Sequence, residues 1–177
     1  MTTIYDSEKG ALNVTLVSCE PNTVRSLRTQ EKDRYQAIQL ETMKTKRTSI
    51  RKEFRTEEGS DVQVGQIFDV TMFTLGERVQ VSGISKAKGF QGVVKRHGFA
   101  GSPKTHGHKH DLRAPGSIGS AFPQHVFKGM RMAGRMGGDR VTVQGLQIVM
   151  VDPEKNMLAI QGAIPGVNGN IVEIVGK

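Results

Sequence analysis

The sequence predicts a mainly β protein: a small barrel or sandwich carrying one long, basic, irregular extension. Three observations predict it. Short apolar stretches alternate with period two, as strands with one buried face do. These stretches are rich in Val and Ile and are bounded by Gly, Pro and Asn. Between two sets of them, residues 86–140 hold eleven Lys and Arg against two acids.

Leu12 to Val17 alternates cleanly and reads as a strand, and the short run Ala37 to Leu40 is similar. Val62 to Phe73 suggests one or two strands around Gly65, and Val79 to Val81 alternates again. The segment 42–55 is polar and charged, and its pattern leaves a short helix and an exposed loop both open. Val141 to Val151 carries the strongest strand signal in the chain. It runs into Asp152-Pro153-Glu154-Lys155-Asn156, where Pro supplies the φ a tight turn wants. Met157 to Gln161 then returns, so 141–161 is predicted to be a hairpin. A last strand, Ile171 to Val175, follows the Gly-, Pro- and Asn-containing turn 162–170. A β domain interrupted near 85 and resumed near 141 accounts for both flanks. Its parts are 1–84 and 141–177, with 85–140 as the extension. A structureless loop of that length is unusual inside a compact domain. Its composition marks it instead as an arm meant for another molecule.

The window 86–140 carries a formal charge of +9, while the rest of the chain carries −1 of the total +8. All five histidines, about half of the glycines and three of the six prolines lie there too. Such a stretch cannot bury enough apolar surface to offset its ordering entropy alone. A polyanion would let it order, because phosphates supply the opposite charge and release counterions on binding. A merely solvated charged face would interleave acids with bases, as residues 20–58 do. A membrane-surface patch would want an amphipathic helix, which this Gly and Pro content opposes. No apolar run approaches the roughly 18–20 residues that span a bilayer. The N-terminal residues show no leader pattern, so secretion is not expected. Cys19 stands alone, which excludes an internal disulfide, fits a reducing compartment, and reads as a buried, inert thiol. The absence of Trp and the presence of only two Tyr weigh mildly against a base-stacking platform.

Three motifs invite enzymatic readings. His106-Gly107-His108-Lys109-His110-Asp111 would place imidazoles on one face of an extended chain, and imidazoles suit zinc. The Asp and last His are swapped relative to the His-x-His-x-Asp-His run of binuclear metallohydrolases. Few further ligands follow, so no metal site is predicted. The bland reading is that these histidines hydrogen-bond phosphates or 2′-hydroxyls. Gly129 and Gly134 have P-loop spacing without the following Lys-Ser/Thr. In Gly116-Ser117-Ile118-Gly119 the Ser directly follows Gly, so the hydrolase elbow is absent. A metal-dependent hydrolase using His106, His108 and His110 is the enzymatic alternative. A free RNA-binding factor is a third reading.

At these residues the chain is also similar to a known family. The matching runs are Val81 to Arg96 (VSGISKAKGFQGVVKR), Thr105-His106-Gly107, Arg113 to Gly119 (RAPGSIG), Val126 to Gln144 (VFKGMRMAGRMGGDRVTVQ) and Gly162 to Gly166 (GAIPG). Weaker matches are Met1 to Tyr5 and Tyr35 to Gln39. The family is the universal large-subunit ribosomal protein L3, in its bacterial form, and the resemblance covers nearly the whole chain. It implies a translation-protein-like β-barrel on the subunit surface, and an extension that penetrates 23S-type rRNA towards the peptidyl transferase centre. It also implies an early role in subunit assembly, no catalysis and no cofactor. The implied partners are large-subunit rRNA and neighbouring ribosomal proteins, with no membrane and no small-molecule substrate. The implied place is the cytoplasmic ribosome, with an organellar ribosome also compatible.

The rRNA-binding candidates are Lys86, Lys88, Lys95, Arg96, Lys104, His106, His108, Lys109, His110, Arg113, Lys128, Arg131, Arg135 and Arg140. Carried over by motif, the tip near the peptidyl transferase centre is Gly116, Ser117, Ile118, Gly119, Ser120, Ala121, Phe122, Pro123, Gln124 and His125. Two departures stand out. Bacterial members usually begin earlier, with a Gly/Lys-rich strand before the position of Met1, so the first strand is expected to be missing or replaced, or the start to be late. Many members carry Gly-Gln-Asn-Gln-Thr-Pro-Gly at the tip, with a methylated glutamine. Here Gly119 to His125 reads GSAFPQH, and the methylation is not carried over to Gln124.

Overall fold

The computed structural model describes residues 1–7, 9–45, 48–56 and 62–176. In chain order the first elements are β1 (Thr2–Asp6), β2 (Gly10–Ser18), β3 (Asn22–Arg28), the single helical turn α1 (Gln30–Asp33), β4 (Ala37–Thr45) and β5 (Thr48–Arg55). Then come β6 (Ile67–Phe68), a 3-10 turn over Val70–Met72, and β7 (Arg78–Ile84). The basic window contributes β8 (Phe90–Gln91), α2 (Val93–His97) and β9 (Gly134–Arg135). The chain closes with β10 (Arg140–Asp152), β11 (Met157–Gln161) and β12 (Val172–Gly176). The fold is mainly β, with antiparallel sheets. Six strands run in the order β1-β2-β11-β10-β7-β12, four in the order β5-β4-β3-β6, and β8 pairs with β9 alone.

β11 shows why these residues make a sheet. Leu158, Ala159 and Ile160 are consecutive and fully buried, so both faces of the strand are covered. That requires an unbroken apolar run rather than alternation. β2 flanks it on one side, pairing Val17 with Leu158 and Thr15 with Ile160. β10 flanks it on the other, pairing Ile148 with Ile160, and the register slips between Ile148 and Met150. Around this strand Val14, Val24, Ile38, Val70, Val79, Val81 and Ile148 complete the core, each under a tenth exposed. Burial of each such side chain is worth roughly 1.5–3 kcal/mol.

The predicted strands at 12–17, 37–40, 79–81, 141–151 and 157–161 lie in β2, β4, β7, β10 and β11, and that at 171–175 overlaps β12, which starts one residue later. Two readings change. Of the one or two strands expected in 62–73, two residues form β6 and the next turn is 3-10, opened by Asp69, whose carboxylate accepts from the Val70 amide at 2.6 Å. The segment 42–55 is neither helix nor plain loop: its described residues lie in β4 and β5. Ile50 and Phe54 are four apart, a spacing that suits a helix face and a strand face equally. Pairing decides for the strand, since Ile50 sits opposite Thr42 and Phe54 opposite Ile38. On the polar positions Arg51 lies opposite Glu41 and Glu53 opposite Gln39, and these cross-strand partners bond at 3.2 and 3.0 Å.

The chain divides into two compact units. The first comprises Met1–Val81, Val143–Ile164 and Ile174–Lys177. The second comprises Ser82–Thr142 and Pro165–Glu173, and it contains the whole basic window.

Candidate nucleic-acid interface

The second unit is built as two limbs that hydrogen-bond along their roots. The Ser85 amide donates to the Asp139 carbonyl at 2.9 Å, and the Gly138 amide returns to the Ser85 carbonyl at 3.3 Å. Further out, the Lys88 amide donates to the Met136 carbonyl and the Met136 amide to the Gly89 carbonyl, both at 2.9 Å. The β8–β9 pair continues this ladder with Phe90 opposite Arg135 and Gln91 opposite Gly134. Gly137 is required by this closeness. Its φ is +73°, and a Cβ there would run into the backbone carbonyl of Lys86.

A side-chain clamp holds the limbs on one face. Arg96 donates from Nη1 to the Met132 carbonyl at 2.7 Å, and His97 Nε2 lies 3.0 Å from the same oxygen. Both come from the last turn of α2, which Val93 anchors by burial and Gly98 ends in the left-handed conformation. Gly134 makes room for the clamp, because a Cβ there would sit 2.6 Å from Arg96 Nη1. Of the cations the sequence singled out, Arg96 therefore has work inside the chain. His97 was not among the candidates. Its helical neighbourhood with Arg96 was the available signal.

From Gly98 to Ala133 the chain has no helix or strand. Local turns shape it: Ser102 donates to the Leu112 carbonyl, Asp111 to His108 and Ala114 to Asp111. Lys104, His106, Lys109, His110 and Arg113 are exposed here and His108 is half-buried. Every residue from Gly116 to His125 is exposed. On the return limb Lys128, Arg131, Arg135 and Arg140 are exposed, as are Lys86, Lys88 and Lys95 on the outgoing limb. His106, His108 and His110 are not brought together. Among the described residues no group of three or more His, Cys, Asp or Glu side chains is placed to hold a metal.

Charge is handled differently in the two units. In the first, Arg25 and Arg51 pair with Glu41, Arg28 with Asp33 and Glu53, and Lys155 with Asp152. The Ser49 hydroxyl and then Arg51 hold Glu41 below the ordinary carboxylate range. Gln39, Tyr35 and Arg28 do the same for Glu53. Arg28 in turn holds its proton more tightly, chiefly because of Asp33. In the second unit, among the described residues, Arg140 pairs with Glu173, and no other cation of the window has an ion pair. Cys19, half-buried in the first unit, has its thiol pushed up to about 11 by burial and stays protonated at neutral pH. No described helix is long and apolar enough to cross a membrane.

The family model for ribosomal protein L3 matches residues 36–163. The large ribosomal subunit protein uL3 of Roseiflexus sp. (strain RS-1) is 44% identical over 192 aligned residues, which cover 98% of this chain and 91% of the relative. That of Acidothermus cellulolyticus is 43% identical, covering 98% and 87%. That of Bacillus cereus (strain B4264) is 41% identical, covering 99% and 92%. With limbs, turns and flanking strands matched over almost the full length, this chain belongs to the ribosomal protein L3 family.

Proposed function

We propose that this chain is a non-enzymatic, structural constituent of the large ribosomal subunit that binds its rRNA through the arm 85–140. The names of the relatives support the first part. One observation carries the second: outside Arg140, the cations of the window have no carboxylate partner among the described residues, while in the first unit Arg25, Arg28, Arg51 and Lys155 do. A dense set of unneutralised cations on an irregular backbone is stable when phosphates complete it. Lys86, Lys88 and Lys95 would supply the outgoing limb, Lys128, Arg131 and Arg135 the return limb, and Lys104, Lys109, Arg113 and the histidines the irregular stretch between. The tip 116–125 has no Lys or Arg, so it suits a crowded place walled by bases and sugars. In the resemblance that place is beside the peptidyl transferase centre. Early binding would let the arm be enclosed as the rRNA folds around it, with neighbouring ribosomal proteins added later. The reading places the chain on cytoplasmic ribosomes.

Binding of the purified chain to large-subunit rRNA over a range of salt concentrations tests this. The logarithm of affinity is expected to fall linearly with log salt, by roughly 0.7–0.9 for each phosphate neutralised. Replacing Lys104, Lys109 and Arg113 by Met is expected to reduce the slope by about that amount per residue. A triple variant with wild-type affinity and slope overturns the arm as the phosphate-binding element.

A further inference from the structure

Four of the seven phenylalanines, Phe54, Phe68, Phe73 and Phe99, are half-buried. The other three, Phe90, Phe122 and Phe127, are 77%, 78% and 57% exposed, and all lie in the basic window. Single exposed apolar side chains are ordinary on a surface. Phe90 differs in where it is held. It stands on the β8–β9 ladder at the root of the arm, with the Lys88 and Met136 backbone bonds on one side of it and the Gln91–Gly134 pairing on the other. Gln91, Gly134 and the Arg96 clamp occupy the opposite face of that ladder. Its cross-strand neighbour is Arg135, whose guanidinium lies against Gly138. Among the described residues the Phe90 ring has no stacked ring and no cation over its face.

We propose that Phe90 is a stacking platform for one nucleobase of the rRNA, with Arg135 and Lys88 taking the adjacent phosphates. The charge around the ring selects this occupant. No Asp or Glu occurs from Lys86 to His110, while Lys86, Lys88 and Arg135 are exposed and unpaired among the described residues. A rigid aromatic face with Lys88 two residues before it and Arg135 across the ladder, the nearest acid on the paired limb being Asp139 at the root, matches a base with its phosphates, since every base offers a π face and the backbone supplies the counter-charge. A protein partner would need a wider apolar patch than this single ring to bury. The proposal deepens the rRNA-binding reading and rests on it. It also revises the weight given to the missing Trp, because exposed Phe can serve the same purpose.

The chain has no Trp, so Phe90→Trp introduces a single indole at the platform, excitable apart from the two Tyr. Filter binding with large-subunit rRNA measures affinity separately from the emission. Phe90→Trp is expected to bind as tightly as wild type, and its emission is expected to be quenched and shielded from iodide once rRNA is bound. Phe90→Ala is expected to bind roughly ten- to a hundredfold more weakly with the salt slope unchanged, because a stack is lost and no phosphate contact is. Phe90→Leu, which keeps apolar area without a π face, is expected to resemble Phe90→Ala, and unchanged thermal unfolding of both variants checks the fold. Bound rRNA without quenching overturns the platform, as does Phe90→Leu binding like wild type. Loss of a neighbouring ribosomal protein from subunits carrying Phe90→Ala, with rRNA affinity intact, would also overturn it in favour of a protein contact. If the wild-type chain itself shows no salt-dependent rRNA binding, the rRNA reading fails and the platform falls with it, whereas wild-type binding without quenching in Phe90→Trp overturns the platform alone.

Discussion

Glu41 and Glu53 are the residues whose ionisation the first unit most visibly uses. Glu41 accepts from the Ser49 hydroxyl at 2.6 Å and from Arg51 at 3.2 Å, and Glu53 accepts from Gln39 at 3.0 Å. These partners favour the charged form, so both folded pKa values lie below the ordinary value of 4.5. The sign follows directly. Above the unfolded value both states are ionised and the stabilisation is fully present; it is lost as pH falls from about 4.5 through the depressed folded values. Thermal unfolding followed from pH 7 to pH 3 should show midpoints that drop in that window. The double variant Glu41→Gln, Glu53→Gln should start lower at pH 7 and show a flatter drop. A variant whose pH profile parallels wild type would mean other carboxylates govern the acid limb. Little of this was legible beforehand. The sequence shows interleaved charge over 20–58, but which acid meets which base depends on a register that the polar residues themselves do not set.

At the scale of elements, legibility followed burial. β11 and β10 could be read from the sequence because their apolar residues have no alternative use, and β2 because Leu12 and Val14 alternate on a covered face, although Leu16 on that face is 46% exposed. β5 could not, since Ile50 and Phe54 fit two periods. β8 and β9 are two residues each and are held by cross-limb bonds, so no local pattern announces them. The cations of the window were legible as a group, but the clamp by Arg96 and His97 on Met132 was not, because it depends on a residue some 35 positions away. The limb pairing makes a sharp prediction at Gly137. Ala there would have to hold φ near +73° and push aside the Lys86 carbonyl, and the left-handed conformation alone costs roughly 1–2 kcal/mol. Hydrogen exchange of the Lys88 and Met136 amides should accelerate in Gly137→Ala, and rRNA affinity should fall while the salt slope holds. Gly92→Ala is the control, since Gly92 has φ −70° and open space where a Cβ would go. Equal protection in the two variants would show that the limbs do not depend on this approach.

For the molecule as a whole, the question is whether the arm is an appendage of the fold or part of its foundation. The core residues Val14, Val24, Ile38, Val70, Val79, Val81, Ile148, Leu158 and Ile160 all lie outside 86–138. Within the window Val93 is the one buried apolar side chain among the described residues. The ends of the window already meet, with the Ser85 amide 2.9 Å from the Asp139 carbonyl and the Asp139 amide 3.3 Å from Ser85 Oγ. Excision of 86–138 with an Asn-Gly link would therefore replace a very long loop by a tight hairpin at an existing pair. Loop entropy scales with the logarithm of length, so the shorter link should favour the folded state by up to roughly 3 kcal/mol. Against that stand the lost limb bonds and the lost burial of Val93. The two effects are of similar size, so the excised chain should unfold cooperatively with a midpoint within several degrees of the full chain. Its affinity for large-subunit rRNA should collapse to a shallow salt dependence carried by the remaining surface. Circular dichroism melting and salt-titrated filter binding on the same preparation decide it. An excised chain that folds and keeps the full slope would place the phosphate contacts on the sheets. One that fails to fold would make the arm a part of the fold's own stability, and the division at 85 and 140 would have to be abandoned.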